Sequence, residues 1–350
     1  MPSAVIDLFC GIGGLTKGLE LSGLNVIAGI DVDETCRYAY EKNNLSKFIC
    51  SDISAMDPKV LSELYPENTT KILVGCAPCQ PFSKYTQRYR KGGQKDEKWK
   101  LLYSFSSIID AINPDIISME NVPELAKEKV FKDFVDHLNE LHYFVSWSVV
   151  YCPDYGVPQK RKRLVLLASK FGNIQIIPPI YTPDQYRTVS DAIKGLPAIK
   201  HGETCPNDRI HCATKMKEIN LRRIRQSVPG GTWKDWDTNL QLQCHSKSTG
   251  KGYRAVYGRM KWDEPSPTIT TQFYGYGNGR FGHPEQDRAI SYREGALLQS
   301  FPNDYIFVDE STTTFNKRQL GIHIGNAVPV ELGRAIGLSI IRHIDDMEVQ

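Results

Sequence analysis

A cysteine on a stiffened turn is the first group in this chain with the means to do chemistry. Cys79 stands between Pro78 and Gln80-Pro81-Phe82-Ser83, just beyond an apolar run at 72–74. A turn of that kind displays a thiol into a cleft, where its thiolate is a nucleophile. Cys76 completes a C-x-x-C with it. A redox pair would need a thioredoxin-like setting and a zinc knuckle a second pair nearby, so Cys76 reads as strand-end packing. The second feature is Gly11-Ile12-Gly13-Gly14, set between an apolar run and a helical stretch. Strand, glycines and helix in that order bring backbone close to a nucleotide-like ligand, although the order is not G-x-G-x-x-G. Asp31 ends a second strand and suits two ribose hydroxyls, and Asp52 follows a third and can accept from an adenine edge. Taken singly, each aspartate is equally a helix cap or turn residue. Together, in chain order, the three features favour an adenosine-containing cofactor.

These groups need elements to position them. Residues 4–9, 26–30, 48–50, 72–74, 116–119, 144–150 and 164–168 read as strands, with helical stretches at 15–22, 35–43, 102–112 and 131–141. The alternation predicts an α/β fold, a Rossmann-like doubly wound and mostly parallel sheet with helices on both faces. Ligand sites in such sheets lie beyond the carboxyl ends of the strands. Residues 9–14, Asp31, Asp52, Pro78-Cys79 and Glu120 all fall at those ends. From about Lys200 to Phe315 the alternation fails and Gly, Pro, Thr, Tyr and basic residues take over. That stretch predicts a smaller, irregular β-containing domain. The expected division is 1–199, then 200–315, then a helical segment 316–350 that returns to the first domain.

Hydrophobic residues make up 41% of the chain and charged residues 24%, which excludes a disordered chain. No run of about eighteen apolar residues suggests a membrane span, and no secretory signal is visible at the N-terminus. Nine cysteines are an odd number in a chain long enough to build a core unaided, which points to free thiols in a reducing cytoplasm. The net charge of +3 is too mild to name a polyanion partner. Local charge is stronger. Residues 200–261 hold thirteen Lys/Arg against five Asp/Glu, an excess that favours phosphate contact. Residues 84–100 hold seven Lys/Arg with Tyr85, Tyr89 and Trp99. They read either as a solvated loop or as a lid that meets phosphates and stacks on bases.

The motifs closely resemble those of the cytosine-C5 DNA methyltransferases of the bacterial restriction–modification type. Asp7-Leu8-Phe9-Cys10-Gly11-Ile12-Gly13-Gly14-Leu15 resembles the family's cofactor motif. Gly75-Cys76-Ala77-Pro78-Cys79-Gln80-Pro81-Phe82-Ser83 resembles its nucleophile motif, and Glu120-Asn121-Val122 its catalytic glutamate motif. Gln159-Lys160-Arg161-Lys162-Arg163 resembles Q-x-R-x-R. Arg293-Glu294 through Leu298-Gln299-Ser300-Phe301-Pro302, and Gly325-Asn326-Ala327-Val328-Pro329, resemble the last two motifs. The order is the family's order, leaving about 188–285 for target recognition.

The resemblance implies S-adenosyl-L-methionine as methyl donor, S-adenosyl-L-homocysteine as product, and no metal. Cofactor contacts are expected from Phe9, Gly11, Ile12, Gly13, Gly14, Leu15, Asp31, Val32, Asp52, Ile53, Pro78, Leu101, Asn326 and Ala327. Cytosine C5 is a poor nucleophile until a thiolate adds at C6, so Cys79 is expected to make that bond. Glu120 is expected to act at N3, and Arg163, with Arg161, to hold O2 and a nearby phosphate. A strand-edge salt-bridge pair is the other reading of the two arginines. The target base lies inside a duplex and must be flipped out. DNA contacts are expected from Gln80, Ser83, Arg88, Arg90, Arg254 and Thr268. The implied partners are duplex DNA bearing a short specific site and a cognate restriction endonuclease, with the enzyme a cytoplasmic monomer. Three alternatives stand beside this reading: an RNA (tRNA) cytosine methyltransferase, a catalytically silent DNA-binding module, and a nicotinamide-dependent oxidoreductase. His201, Cys205, His211, Cys212, Cys244 and His245 invite a zinc reading, but their spacings fit no common finger.

Overall fold

The computed structural model describes residues 2–78, 100–246 and 255–348. The chain divides into two compact units, one of Met1–Tyr155, Lys162–Ile180 and Val328–Gln350, the other of Gly156–Arg161 and Tyr181–Ala327.

The first unit is an α/β sheet. Its elements are β1 (Ser3–Leu8), α1 (Gly14–Ser22), β2 (Val26–Asp31), α2 (Arg37–Asn43), β3 (Lys47–Cys50), α3 (Pro58–Ser62), β4 (Thr70–Gly75), α4 (Lys100–Ile112), β5 (Ile116–Asn121), α5 (Lys129–Glu140) and β6 (Phe144–Tyr151). The two-residue β7 (Gln159–Lys160) belongs to the other unit, and β8 (Lys162–Ser169) returns to this one. The order across the sheet is β3-β2-β1-β4-β5-β8-β6. β1, β4 and β5 are almost wholly buried apolar runs, as central parallel strands covered on both faces must be.

The sheet is mostly parallel, as expected, with one exception. The strand at 164–168 is antiparallel to both its neighbours, β5 and β6. Between β6 and β8 lie only a 3₁₀ turn at Cys152–Tyr155, a short loop and the two-residue β7. A parallel return needs a crossover of about a dozen residues or more, usually a helix, so the chain comes back antiparallel.

α11 (Val330–Glu348) closes this unit against α1. The two helices approach so closely that a Cβ on Gly18 would lie 2.3 Å from the Val330 carbonyl oxygen. Residues 317–348 are apolar and long enough to cross a bilayer, yet 67% of their most apolar window is buried inside the protein. Ten α11 residues are buried, which is the pattern of a core helix.

The second unit has little regular structure: α6 (Val189–Ile193), β9 (Thr204–Cys205), β10 (Asp208–Cys212), α7 (Glu218–Gln226), α8 (Gln243–Ser246), β11 (Ser266–Pro267), α9 (Tyr292–Leu298) and α10 (Lys317–Asn326). Buried polar side chains do what a sheet ladder would otherwise do. Arg259 is 5% exposed and donates to the carbonyls of Ile224, Ser227, His283 and Gln286. Gln159 and Gln299 are fully buried. Gln159 donates to Gln299 Oε1 and the Leu298 carbonyl, and Gln299 to the Ile324 carbonyl. Apart from the bond between the two glutamines, each of these meets a backbone carbonyl outside the sheet ladders. A cluster of Trp233, Trp236, His245 and Tyr257, with Trp233 stacked on His245, supplies a small core.

Candidate active site

The first cluster sits at the carboxyl ends of β1 and β2. Phe9, Gly11 and Gly13 turn the chain there with φ of +61°, +52° and +84°. A left-handed Phe9 is costly, and such conformations persist where the surroundings impose them. Here the turn is pinned: Cys10 N–H donates to the Ile30 carbonyl (3.1 Å) and Gly11 N–H to Asp31 Oδ2 (2.8 Å). Asp31 Oδ1 takes the Asp33 N–H at 2.9 Å. Asp31 therefore fastens the glycine turn to the end of β2. Space opens beside it. A Cβ on Gly11 would meet nothing within 4 Å, and Val32 is 68% exposed.

Asp52 is exposed and accepts from the Ser54 hydroxyl and N–H, both at 2.8 Å. Those bonds hold its carboxyl below the usual range. Ile12, Leu15 and Ile53 are buried, Leu101 is half-buried and Pro78 exposed. Asn326 is exposed and Ala327 half-buried, both in the second unit. Behind the turn lies a buried carboxylate, Asp7. Burial pushes it up to about 7, although Thr16 donates to its Oδ2 at 2.6 Å.

The second cluster sits at the ends of β4 and β5, which pair in parallel with Gly75 beside Met119. Glu120 is 2% exposed. Arg163 Nε lies 2.8 Å from its Oε1, an ion contact without hydrogen-bond alignment. Oε1 has no hydrogen-bond donor among the described residues. Oε2 takes the Cys76 thiol at 2.7 Å. Cys76 is thus no mere strand-end filler, as expected from the sequence, because it faces the carboxylate of β5. Asn121 went unremarked as a working residue, yet its side chain donates to the Ala77 carbonyl at 3.0 Å. It ties the end of β5 to the backbone that leads into Cys79. Cys79, Gln80, Ser83, Arg88, Arg90 and Arg254 lie outside the described residues. Burial pushes the Cys10 and Cys36 thiols up, so neither competes as a thiolate.

Arg161 and Thr268 belong to the second unit. Arg161 is 4% exposed and donates to the Ile269 carbonyl at 3.0 Å. Thr268 donates to the Lys160 carbonyl at 2.9 Å, where β11 pairs with β7. Arg161 therefore has the surroundings of an internal strut. Nearby is an open cleft of about 370 Å³ lined by Lys160, Lys261, Arg280 and Glu264. Hydrogen bonds from the two lysines hold Glu264 at about 2. Three cations against one carboxylate leave the cleft cationic.

Residues 3–342 match the model of the C-5 cytosine-specific DNA methylase family. The chain is 56% identical to the Type II methylase M.HgiDII of Herpetosiphon aurantiacus, over 99% of this chain and 97% of that one. It is 31% identical to the Type II methyltransferase M1.BsuMI of Bacillus subtilis, over 97% of this chain and 80% of that one. Its fold is similar to that of a DNA modification methyltransferase encoded within an E. coli prophage, with a TM-score of 0.73 at 21% identity, covering 98% and 99% of the two chains. The chain is an enzyme of the C-5 cytosine-specific DNA methylase family.

Proposed function

We propose that the chain transfers a methyl group from S-adenosylmethionine to C5 of a flipped-out cytosine in a short duplex DNA sequence. The observation that carries this reading is the Glu120 carboxylate. It is buried at the carboxyl end of the sheet with Oε1 lacking a hydrogen-bond donor among the described residues and Arg163 beside it. An orphaned buried acceptor is expensive unless a ligand completes it, and the exocyclic 4-amino group of cytosine, beside N3, offers the missing donor.

The open side of Gly11, the exposed Val32 and the Asp31 carboxylate fit the adenosine part of the cofactor. Each Asp31 oxygen takes one backbone N–H and keeps a lone pair for a ribose hydroxyl. When bound, the cofactor supplies an electrophilic methyl on a sulfonium. The Cys79 thiolate bonds to C6 and the ring π-electrons move to C5, while Glu120, entering the step protonated, donates to N3 and takes that proton back when the adduct breaks down. After transfer a base takes the C5 proton and the C6–sulfur bond breaks, returning Cys79 as thiolate. Arg163 stands where it can offset charge on the ring. The cationic cleft of the second unit suits a DNA phosphate, and the names of the relatives support a cognate restriction endonuclease as partner. The protein is proposed to act as a cytoplasmic monomer.

The test is methyl transfer from labelled S-adenosylmethionine into mixed-sequence duplex DNA, with tRNA in parallel, followed by sequencing of methylcytosine. Methylcytosine at one recurring short duplex sequence is expected, and Cys79→Ser is expected to abolish it while sparing cofactor binding. Transfer to tRNA alone, or full activity of Cys79→Ser, overturns the reading.

A further inference from the structure

We propose that Cys76 is a positioning residue for Glu120: its thiol fixes one carboxylate oxygen so that the other meets the cytosine. The inference rests on the reading of Glu120 as the group that serves N3. Cys76 follows β4 directly, its N–H bonded to the Leu8 carbonyl at 3.3 Å. Because β4 and β5 are neighbours in register, a side chain just past the end of one can meet a side chain at the end of the other. The thiol lies 2.7 Å from Glu120 Oε2.

A glutamate carboxylate turns easily about its last torsion, which has broad and roughly two-fold minima. Burial alone does not choose a plane for it. Two groups do so here. Arg163 Nε stands 2.8 Å from Oε1 without hydrogen-bond alignment, so it attracts the oxygen but does not occupy a lone pair. The thiol binds Oε2. The result is a carboxylate with one oxygen held by the protein and one oriented for a ligand. A thiol is a weak donor, so it can orient the carboxylate without drawing off much of its basicity. A cysteine that only filled space would sit among apolar groups; this one faces a carboxylate.

Cys76→Ala and Cys76→Ser separate orientation from packing. With Cys76→Ala, kcat on duplex DNA is expected to fall roughly tenfold or more, with KM for DNA and cofactor unchanged and the melting temperature retained. Cys76→Ser keeps a donor and is expected to restore kcat to near the parent value. Full activity of Cys76→Ala, or equal loss in both variants, overturns the proposal. A second readout needs no turnover. The Cys76 S–H stretching band, isolated by subtracting the spectrum of Cys76→Ala, is expected to lie low and to shift when Glu120→Gln weakens the acceptor. A band that ignores Glu120→Gln overturns the contact itself. Absence of methyl transfer by the parent protein, with that band still responsive, would fault the proposed reaction and leave the contact standing.

Discussion

Two buried carboxylates, one in each unit, meet opposite fates. Asp7 at the end of β1 is fully buried and Glu294 in α9 is 1% exposed. Burial raises both. For Asp7 it prevails: the Thr16 hydroxyl and backbone N–H are too little, nearby Asp31 adds repulsion, and the carboxyl rises to about 7. For Glu294 the burial is outweighed. Arg288 donates to both its oxygens at 2.7 and 2.6 Å, the Ser291 N–H adds a third bond at 2.7 Å, and the carboxyl falls to about 2. The partner, not the depth, decides the charge state. The location explains why the partner differs. In the first unit the sheet ladder holds the fold, and a poorly matched acid is tolerated behind the glycine turn. In the second unit, with almost no ladder, the Arg288–Glu294 pair is itself part of the frame.

The largest way to break this contrast is to remove the cation. Arg288→Met leaves Glu294 buried without the partner that keeps it charged. Losing one partner of a buried pair costs about 3–5 kcal/mol. Urea denaturation followed by Trp fluorescence, with Trp233 and Trp236 in the same unit, is expected to show that loss. The double change Arg288→Met with Glu294→Leu is expected to recover much of it. A loss under about 1 kcal/mol in the single variant would mean that the pair is not part of the frame.

The reverse experiment is Asp7→Asn. Asp7 has an ordinary value of 3.8 and a folded value of about 7. Between those values the folded state holds a proton that the unfolded state has lost. Its share of stability is therefore complete below 3.8 and lost as pH rises through about 7. Asp7→Asn is expected to gain on the parent by about 2–4 kcal/mol at pH 8 and to gain little at pH 4. An equal difference at both pH values would remove the contrast with Glu294.

How far the sequence disclosed these regions follows from the same physics. Strands such as β1 and β5 were legible because a doubly covered strand is a continuous apolar run ended by polar residues. The direction of β8 was not, since its run 164–168 reads the same either way and the short loop before it decides. Asp31 was legible as a strand-end acid, but its two bonds to backbone N–H groups needed coordinates. Cys76 was misread because its partner lies 44 residues away, where local reading finds only an apolar strand end. Arg288 and His283 were not singled out. In a polar, basic stretch nothing local distinguishes a buried cation from a solvated one.

His283 gives the smallest effect and the sharpest test of the comparison. It is 2% exposed and its Nδ1 accepts from the N–H groups of Glu285 (3.1 Å) and Gln286 (2.9 Å). Protonation at Nδ1 would break both bonds. Burial, aided by Arg288 and Arg259, holds the ring down to about 4 despite Glu294 nearby. The folded state thus resists a proton that the unfolded chain accepts at its ordinary 6.5. Stability from this group is present above 6.5 and is lost as pH falls to about 4, by on the order of 2 kcal/mol. The second unit is therefore expected to loosen in mild acid, over the range where Asp7 favours the first. Hydrogen exchange at pH 7 and pH 4.5 resolves the two units in one sample. Protection should fall more in 181–327 than in 2–78, and His283→Asn, which keeps an acceptor without the titration, should shrink that difference. Equal losses in both regions, unchanged by His283→Asn, would show that the buried acids and the histidine do not set the pH response of their units.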